Sequence, residues 1–285
     1  MKKLAKNTLL IILLLAALVL IIFACGLVWL YSGRLTPSKT KAFLKLTLPM
    51  ALVNNNPVPA KSFITRQLLA EKLPAGKTIQ DLDIYNQIIS ESEISQIAAG
   101  HGIGISAFEV NKAYNDYAAQ ENFSGQASFN DLLAGYGISR QIFIDQTVEP
   151  TLLAAKLQTW FYSQPDLNAQ SYGQAKNLLD QIQAGKDIGQ LAKQFSQDGS
   201  SADLQGDLGF IDLTKLLPEL QEGVDSLSVG QVKILPSRFG IQIVKLEGKS
   251  GSLLHLRSIY IKGSDFQTWL TGQEQKFKVI KLINI

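Results

Sequence analysis

The side chains that carry most nucleophilic and metal chemistry are scarce in this chain. One cysteine, Cys25, and two histidines, His101 and His255, stand among 285 residues. A lone cysteine closes no disulfide and builds no cysteine zinc site within the chain, and with only two histidines besides, metal catalysis is not expected. The glycine-rich GHGIG at 100–104 could offer backbone N–H groups to a phosphate. It lacks the Walker lysine and the dinucleotide spacing, and reads instead as a helix C-cap and turn carrying a solvated His101. Two carboxylates in turn-rich loops remain, Asp198 in FSQDG and Asp207 in QGDLG. Each either ties down loop backbone or presents a charge to a reaction.

Composition narrows the partners. At 46% hydrophobic and 18% charged residues the chain is not disordered throughout. Lys2, Lys3 and Lys6 account for the formal charge of +3, leaving 24 basic and 24 acidic residues behind them. That balance offers no basic face for phosphates, and nucleic acid is not expected as a partner.

The elements that must position any site begin with an apolar run. No residue from Thr8 to Tyr31 is charged, and the 23 residues from Leu9 to Tyr31 rise about 35 Å as a helix, enough to span a bilayer. The run exceeds the h-region of a cleavable export signal, so residues 1–31 read as a single-pass membrane anchor with the lipid bilayer as partner. Trp29 and Tyr31 fall where aromatic rings favour the interface. Arg34, Lys39, Lys41 and Lys45 follow closely and oppose the positive-inside signal of the amino terminus. The bulk of the chain is nevertheless expected outside the cytoplasm, because large domains are translocated largely regardless of charge. Cys25 in IFACG loosely resembles a lipoprotein acylation site. The apolar run continues past it, so it reads as a small membrane-buried hydrophobe.

Beyond the anchor, 32–48 is polar and basic and reads as a tether. Residues 49–165 read as a mainly helical module, opened by ALVNNNPVPAKSF, whose asparagines and prolines force a turn. Ile84, Ile88 and Ile97 keep helical spacing over roughly 84–99, and SAFE at 106–109 fits a capping box for a helix over 106–120. SFNDLLAGYG and then ISRQIFIDQTVEPTLLAAKLQTWF read as a short helix and a long one. From 166 to 263 the pattern becomes α+β. Two helices (YGQAKNLLDQIQAG and IGQLAKQFS) precede a loop, QDGSSADLQGDLGF, and then KILPSRFGIQIVKLEG reads as two strands around a tight turn, with LLHLRSIYIKG as a third. Residues 264–285 form an extension, a short helix capped by Ser264 and then a strand, expected to pack on that same sheet.

AKNLLDQIQAGKDIGQLAKQFSQDGSSADLQGDLGFI, LLPEL, VGQV and SRFGIQIVKL together resemble the body of a parvulin-type (PpiC-like) peptidyl-prolyl isomerase domain over about 80 residues. The helical segment is similar to the N-terminal module of SurA-like and PrsA-like extracytoplasmic folding factors. The family begins its domain with a strand that is missing before Tyr172. LHLRSIYIK at 254–262 resembles that strand and stands at the other end, so a circularly permuted parvulin-like antiparallel sheet is expected. The permutation costs little where the two termini lie close in space.

The resemblance also implies a site. Family histidines of the first and last strands are replaced by Ser258 and Gln242, the acidic position is kept as Asp198, and the glycine-rich turn is kept at Gly206–Gly209. Asp198, Ser258 and Gln242 are assigned to the catalytic wall. Leu217, Leu220, Phe239 and Leu208 are assigned to the proline pocket, with Leu216 as an alternative to Leu217. His255 lies an odd offset of three from Ser258, which on a strand places it on the opposite face. Without the resemblance, the leucines and Phe239 would read as core.

Rotation about an X–Pro bond faces a barrier of roughly 20 kcal/mol and breaks no covalent bond. It needs an apolar grip on the proline ring, a polar setting that favours the twisted amide, and no cofactor. The implied function is a folding factor that isomerises X–Pro bonds in unfolded exported polypeptides. The alternative is a degenerate parvulin-like chaperone that binds unfolded chains without isomerase activity, because Gln and Ser keep hydrogen bonding but cannot become cations. A third reading is a membrane protein bound to one fixed partner or to the cell wall.

Overall fold

The computed structural model describes residues 2–70, 79–119 and 126–284, with the side chains of 1–15 and 126–127 left outside the description. In chain order the elements are α1 (Lys2–Tyr31), α2 (Pro37–Leu46), β1 (Pro49–Val53), β2 (Asn56–Pro59), α3 (Ala60–Ala70), α4 (Asp81–Gly100), α5 (Ala107–Ala118) and α6 (Gln126–Gly135). They continue with α7 (Arg140–Phe143), a π-helical stretch (Ile144–Val148), α8 (Glu149–Ser163), α9 (Ala169–Gln183), α10 (Ile188–Phe195) and β3 (Asp207–Asp212). The last are α11 (Pro218–Asp225), β4 (Val232–Ser237), β5 (Gly240–Ser250), β6 (Leu253–Ile261), α12 (Phe266–Glu274) and β7 (Val279–Lys281). The expected span, Leu9–Tyr31, falls partly on residues whose side chains lie outside the description. Among the described residues no helix is long and apolar enough to cross a membrane.

Two compact units form. The first comprises Met1–Glu93, Asn130–Ile142 and Lys276–Ile285. Its three-stranded sheet has the order β2-β1-β7. Asn54 and Asn55 both adopt positive φ between β1 and β2, which asparagine tolerates better than most residues and which suits a two-residue hairpin. The stretch expected as mainly helical therefore opens with a hairpin. β7 pairs antiparallel with β1, Leu52 opposite Ile280. This corrects the expectation that the C-terminal strand would join the sheet of the second half. Phe43, Met50, Phe63, Ile64, Ile84, Ile88 and Ile283 build this unit's core. Within 32–48, the expected tether, α2 starts at an N-cap, Thr36, with Pro37 in its first turn.

The second unit comprises Ile94–Phe129 and Phe143–Gln275. Its sheet is antiparallel with the order β3-β6-β5-β4. β6, last of the four in sequence, lies between β3 and β5. Alternation divides the sheet residues. Ile241, Ile243, Ile259 and Ile261 pack with Ala175, Leu178, Ile188 and Leu191 of α9 and α10. Val244, Leu246, Leu254 and Leu256 pack on the other face with Leu220 and Val224 of α11.

Local chemistry sets the helix ends. Ser106 and Glu109 form the expected capping box, each side chain accepting the other's backbone N–H. The helix expected over 139–161 contains the π turn just ahead of Pro150; proline's missing N–H and bulky ring disrupt the regular ladder there, and a wider turn accommodates them. α12 is capped by Asp265, whose carboxylate accepts from the N–H groups of Gln267 and Thr268. Ser264 does not cap it, because its hydroxyl donates to Leu167 O at 2.6 Å.

Candidate functional site

The loop between α10 and β3 is stapled along β6, and this places a carboxylate beside the sheet. Gln197 N donates to Tyr260 O at 2.8 Å, Tyr260 N donates to Ser196 Oγ at 3.1 Å, and Lys262 N donates to Gln197 Oε1 at 2.6 Å. Further along, Ser258 N donates to Gly206 O at 2.8 Å. Gly206 has φ +71, and an added Cβ there would meet Ser258 O at 2.2 Å and Ala192 Cβ at 2.8 Å. Only glycine allows the loop to approach the strand this closely.

Ser258 and Gln242, expected at the two replaced histidine positions, touch. Ser258 Oγ donates to Gln242 Oε1 at 2.8 Å across the β5–β6 pair. Ser258 is buried and shares its sheet face with the leucines under α11. Neither group titrates near neutral pH, so this wall offers hydrogen bonds and no cation.

Asp198 is engaged by its own loop. Its Oδ1 accepts from Ser200 N at 3.0 Å and Ser200 Oγ at 2.7 Å, its Oδ2 accepts from Ser201 Oγ, and its carbonyl accepts from Ala202 N. Burial opposes ionisation, but the Ser200 and Ser201 hydrogen bonds prevail and hold the carboxyl below the ordinary aspartate range. Its negative charge reaches Tyr260, whose phenol is pushed up by burial and then by Asp198. Tyr260 is directly opposite Gln242 in the register, and its hydroxyl donates to Phe239 O at 2.7 Å. Tyr260 therefore links Asp198, Gln242 and Phe239. Sequence reasoning missed it, although its place two residues after Ser258 puts it on the same strand face.

The apolar assignments separate. Leu208, Leu216 and Leu217 pack part-buried against the cluster that contains Leu220. Leu220 is itself only 7% exposed, so most of its surface already serves the core. Phe239 lies in the turn between β4 and β5 and is 59% exposed. Arg238 beside it is bound bidentately by Glu219 of α11, at 2.9 and 2.8 Å. The Glu219 carboxyl is pushed up by burial, but the Arg238 bonds outweigh this and hold it below its ordinary value.

His255 lies on the other face from Ser258. Its Nε2 is 2.9 Å from Asp207 Oδ1 and 3.9 Å from Glu247 Oε2, and its ring stacks on Phe210. Arg257 bridges the same two carboxylates, to Glu247 Oε1 at 3.0 Å and Asp207 Oδ2 at 3.2 Å. The three ligand-type side chains converge, but Arg257 bridges both acids and Lys245 adds a second cation 3.7 Å from Glu247, so the set reads as an ion-pair network tying β3, β6 and β5. His101 is exposed in the turn after α4, as expected, and its ring also stacks on Trp160, centroids 3.8 Å apart.

A cavity of about 880 Å³ lies elsewhere in this unit, with Ile103, Phe108, Leu152, Trp160 and Pro218 on its walls. Three ion pairs lie on these walls, Glu109 with Lys156 at 2.6 Å, Lys112 with Asp116 at 3.1 Å and Glu219 with Arg238 at 2.8 Å, and Glu222 adds an exposed carboxylate. The apolar part of these walls suits an apolar segment of a ligand.

Known proteins resemble part of this chain. Chaperone SurA of Pseudomonas aeruginosa is 40% identical over 76 residues, 26% of this chain and 18% of that protein. Chaperone SurA of Legionella pneumophila (strain Lens) is 36% identical over 74 residues, 26% and 17% of the two chains. The chain thus spans under a fifth of the length of these curated relatives. Among solved structures, PrsA from Bacillus subtilis aligns at a TM-score of 0.24 and 15% identity, covering 77% of this chain and 80% of that one. Residues 156–248 match the rotamase family model, the PPIC-type PPIASE domain, and through that segment the chain is similar to parvulin-type isomerases.

Proposed function

We propose that this chain is a membrane-anchored, extracytoplasmic folding factor whose second unit carries a circularly permuted parvulin-type isomerase domain acting on X–Pro bonds of unfolded exported polypeptides. The observation that carries the reading is the family match over 156–248, which includes Asp198, Leu208, Leu217, Leu220, Phe239 and Gln242. β6 lies beyond the matched residues yet pairs between β3 and β5, which supports the permutation. In this reading Leu208, Leu217 and Phe239 hold the proline ring, and Leu220 backs them from the core. Asp198, Tyr260, Gln242 and Ser258 set the field in which the amide twists. No proton is transferred, so the lack of a titrating group at positions 242 and 258 does not itself forbid the reaction. Residues 1–31 anchor the chain and the remainder faces outward.

A second reading is favoured by two observations: both oxygens of Asp198 are taken up by serines, and a cavity with mainly apolar walls lies in the same unit. In it the chain is a chaperone that holds unfolded segments without isomerising them. Two assays on the full chain in detergent or lipid separate the readings. An isomerase accelerates cis-to-trans conversion of a proline test peptide, and Asp198→Ala slows it. A chaperone alone suppresses aggregation of unrelated unfolded proteins and leaves the peptide rate at background. Retention in the membrane fraction after alkaline carbonate washing tests the anchor; release into the wash overturns it.

A further inference from the structure

The basic charge of this chain is concentrated at one end. The first 70 residues hold nine lysines and arginines and no acidic residue, whereas the remainder has 18 basic against 24 acidic residues. Lys39, Lys41 and Lys45 of this set sit on α2, which starts six residues after α1 ends.

The structure divides the α2 lysines by role. Lys39 is buried, its ammonium donating to Ser32 O just past the end of α1 and lying over the Trp29 ring, 5.4 Å from the centroid. With Phe43 one turn later, fully buried, it fixes the inner face of α2. Lys41, Leu44 and Lys45 occupy the opposite face by the i, i+3, i+4 rule and are exposed, as is Leu46 at the helix end. Nothing acidic lies on α2 or on the stretch leading into it. Cations flanked by exposed leucines, held at the end of an apolar helix beside Trp29, match the anionic headgroup layer of a bilayer in both charge and polarity.

We propose that α2 is an interfacial collar whose Lys41 and Lys45 bind anionic phospholipid headgroups, while Leu44 and Leu46 enter the acyl boundary. The proposal rests on the reading of residues 1–31 as a membrane anchor. The collar fixes the height of the first unit above the bilayer, which a flexible tether over 32–48 would leave free. It also gives Lys41 and Lys45 a role, although as charges next to the span they work against the positive-inside signal.

The test is amide hydrogen exchange over 37–48 on the full chain in nanodiscs, prepared either with phosphatidylcholine alone or with one third phosphatidylglycerol. Exchange of these amides slows by about thirtyfold in the anionic discs, as expected for two lysines near a charged surface. High salt removes the difference by screening, and the exposed double variant Lys41→Glu/Lys45→Glu shows none. Equal exchange in the two lipids, with the chain inserted in both, overturns the collar and leaves the anchor standing. A chain that enters neither disc overturns the anchor and the collar with it.

Discussion

The contact between Ser258 and Gln242 can be dissected quantitatively. Ser258→Ala removes the donor of the 2.8 Å bond and leaves Gln242 Oε1 facing a residue that is otherwise packed among leucines. Gln242 is only half-buried, so its orphaned oxygen recovers part of the loss from water and the variant costs about 1 kcal/mol, the low end of the roughly 1–3 kcal/mol of a fully buried acceptor. Gln242→Leu has the mirror effect, leaving the Ser258 hydroxyl with no partner on β5. Replacing both removes both unmet groups and keeps the volume apolar, so the double variant is expected within about 1 kcal/mol of the parent. The coupling energy in the cycle is then about 1–3 kcal/mol. Urea unfolding followed by Trp160 and Trp269 fluorescence, both in the second unit, supplies the four free energies. Additive single effects, with coupling under about 0.5 kcal/mol, would refute the claim that these two side chains form one closed unit.

Gly206→Ala places a Cβ 2.2 Å from Ser258 O at positive φ, so strain and overpacking together cost about 3 kcal/mol or more; a denaturant midpoint unchanged from the parent would contradict the stapled loop. The Glu109 carboxyl is lowered to about 2, chiefly by the Lys156 hydrogen bond and then by Ser106 N–H. Its stabilisation is therefore complete above pH 4.5 and lost as pH falls toward 2. Because the side chain is 37% exposed, the expected contribution is only about 1 kcal/mol; Glu109→Gln should lower stability by that amount at pH 7 and match the parent at the acid end of a pH series of unfolding curves. Ile283→Ala truncates a side chain 3% exposed in the first unit and costs about 2–4 kcal/mol; faster hydrogen exchange of β1 amides would report it, and unchanged β1 protection would deny that the chain's end completes this sheet.

Much of the fold was legible because its signals are local. The Ser106–Glu109 box, the Asn54–Asn55 turn and the alternation in β5 and β6 each follow from a few neighbouring residues and appear where expected. The pairing of β7 with β1 was not legible. Its three residues carry little pattern, and the partner strand is remote, as the Lys278 N to Asn54 Oδ1 bond across 224 positions illustrates. Ser264 and Asp265 are both good caps, and only the folded position of Leu167 decides between them.

At the site, resemblance indicated which positions to inspect but not how they interact. It marked Ser258 and Gln242, and strand register brings them within hydrogen-bond distance. Tyr260 escaped notice because a tyrosine in a strand is ordinarily a packing residue, and its role emerges only from its closeness to Asp198 and Phe239. The engagement of Asp198 by Ser200 and Ser201 is likewise a property of the folded loop.

The central claim is that a parvulin-type wall without histidines still favours the twisted amide. The most direct test is the cis-to-trans rate of an X–Pro test peptide with and without the full chain, alongside Asp198→Ala confirmed as folded by its unfolding curve. The account predicts acceleration by the parent that drops at least tenfold in the variant. A rate at background with folded parent protein would contradict it, and would leave a chaperone on an isomerase-like frame.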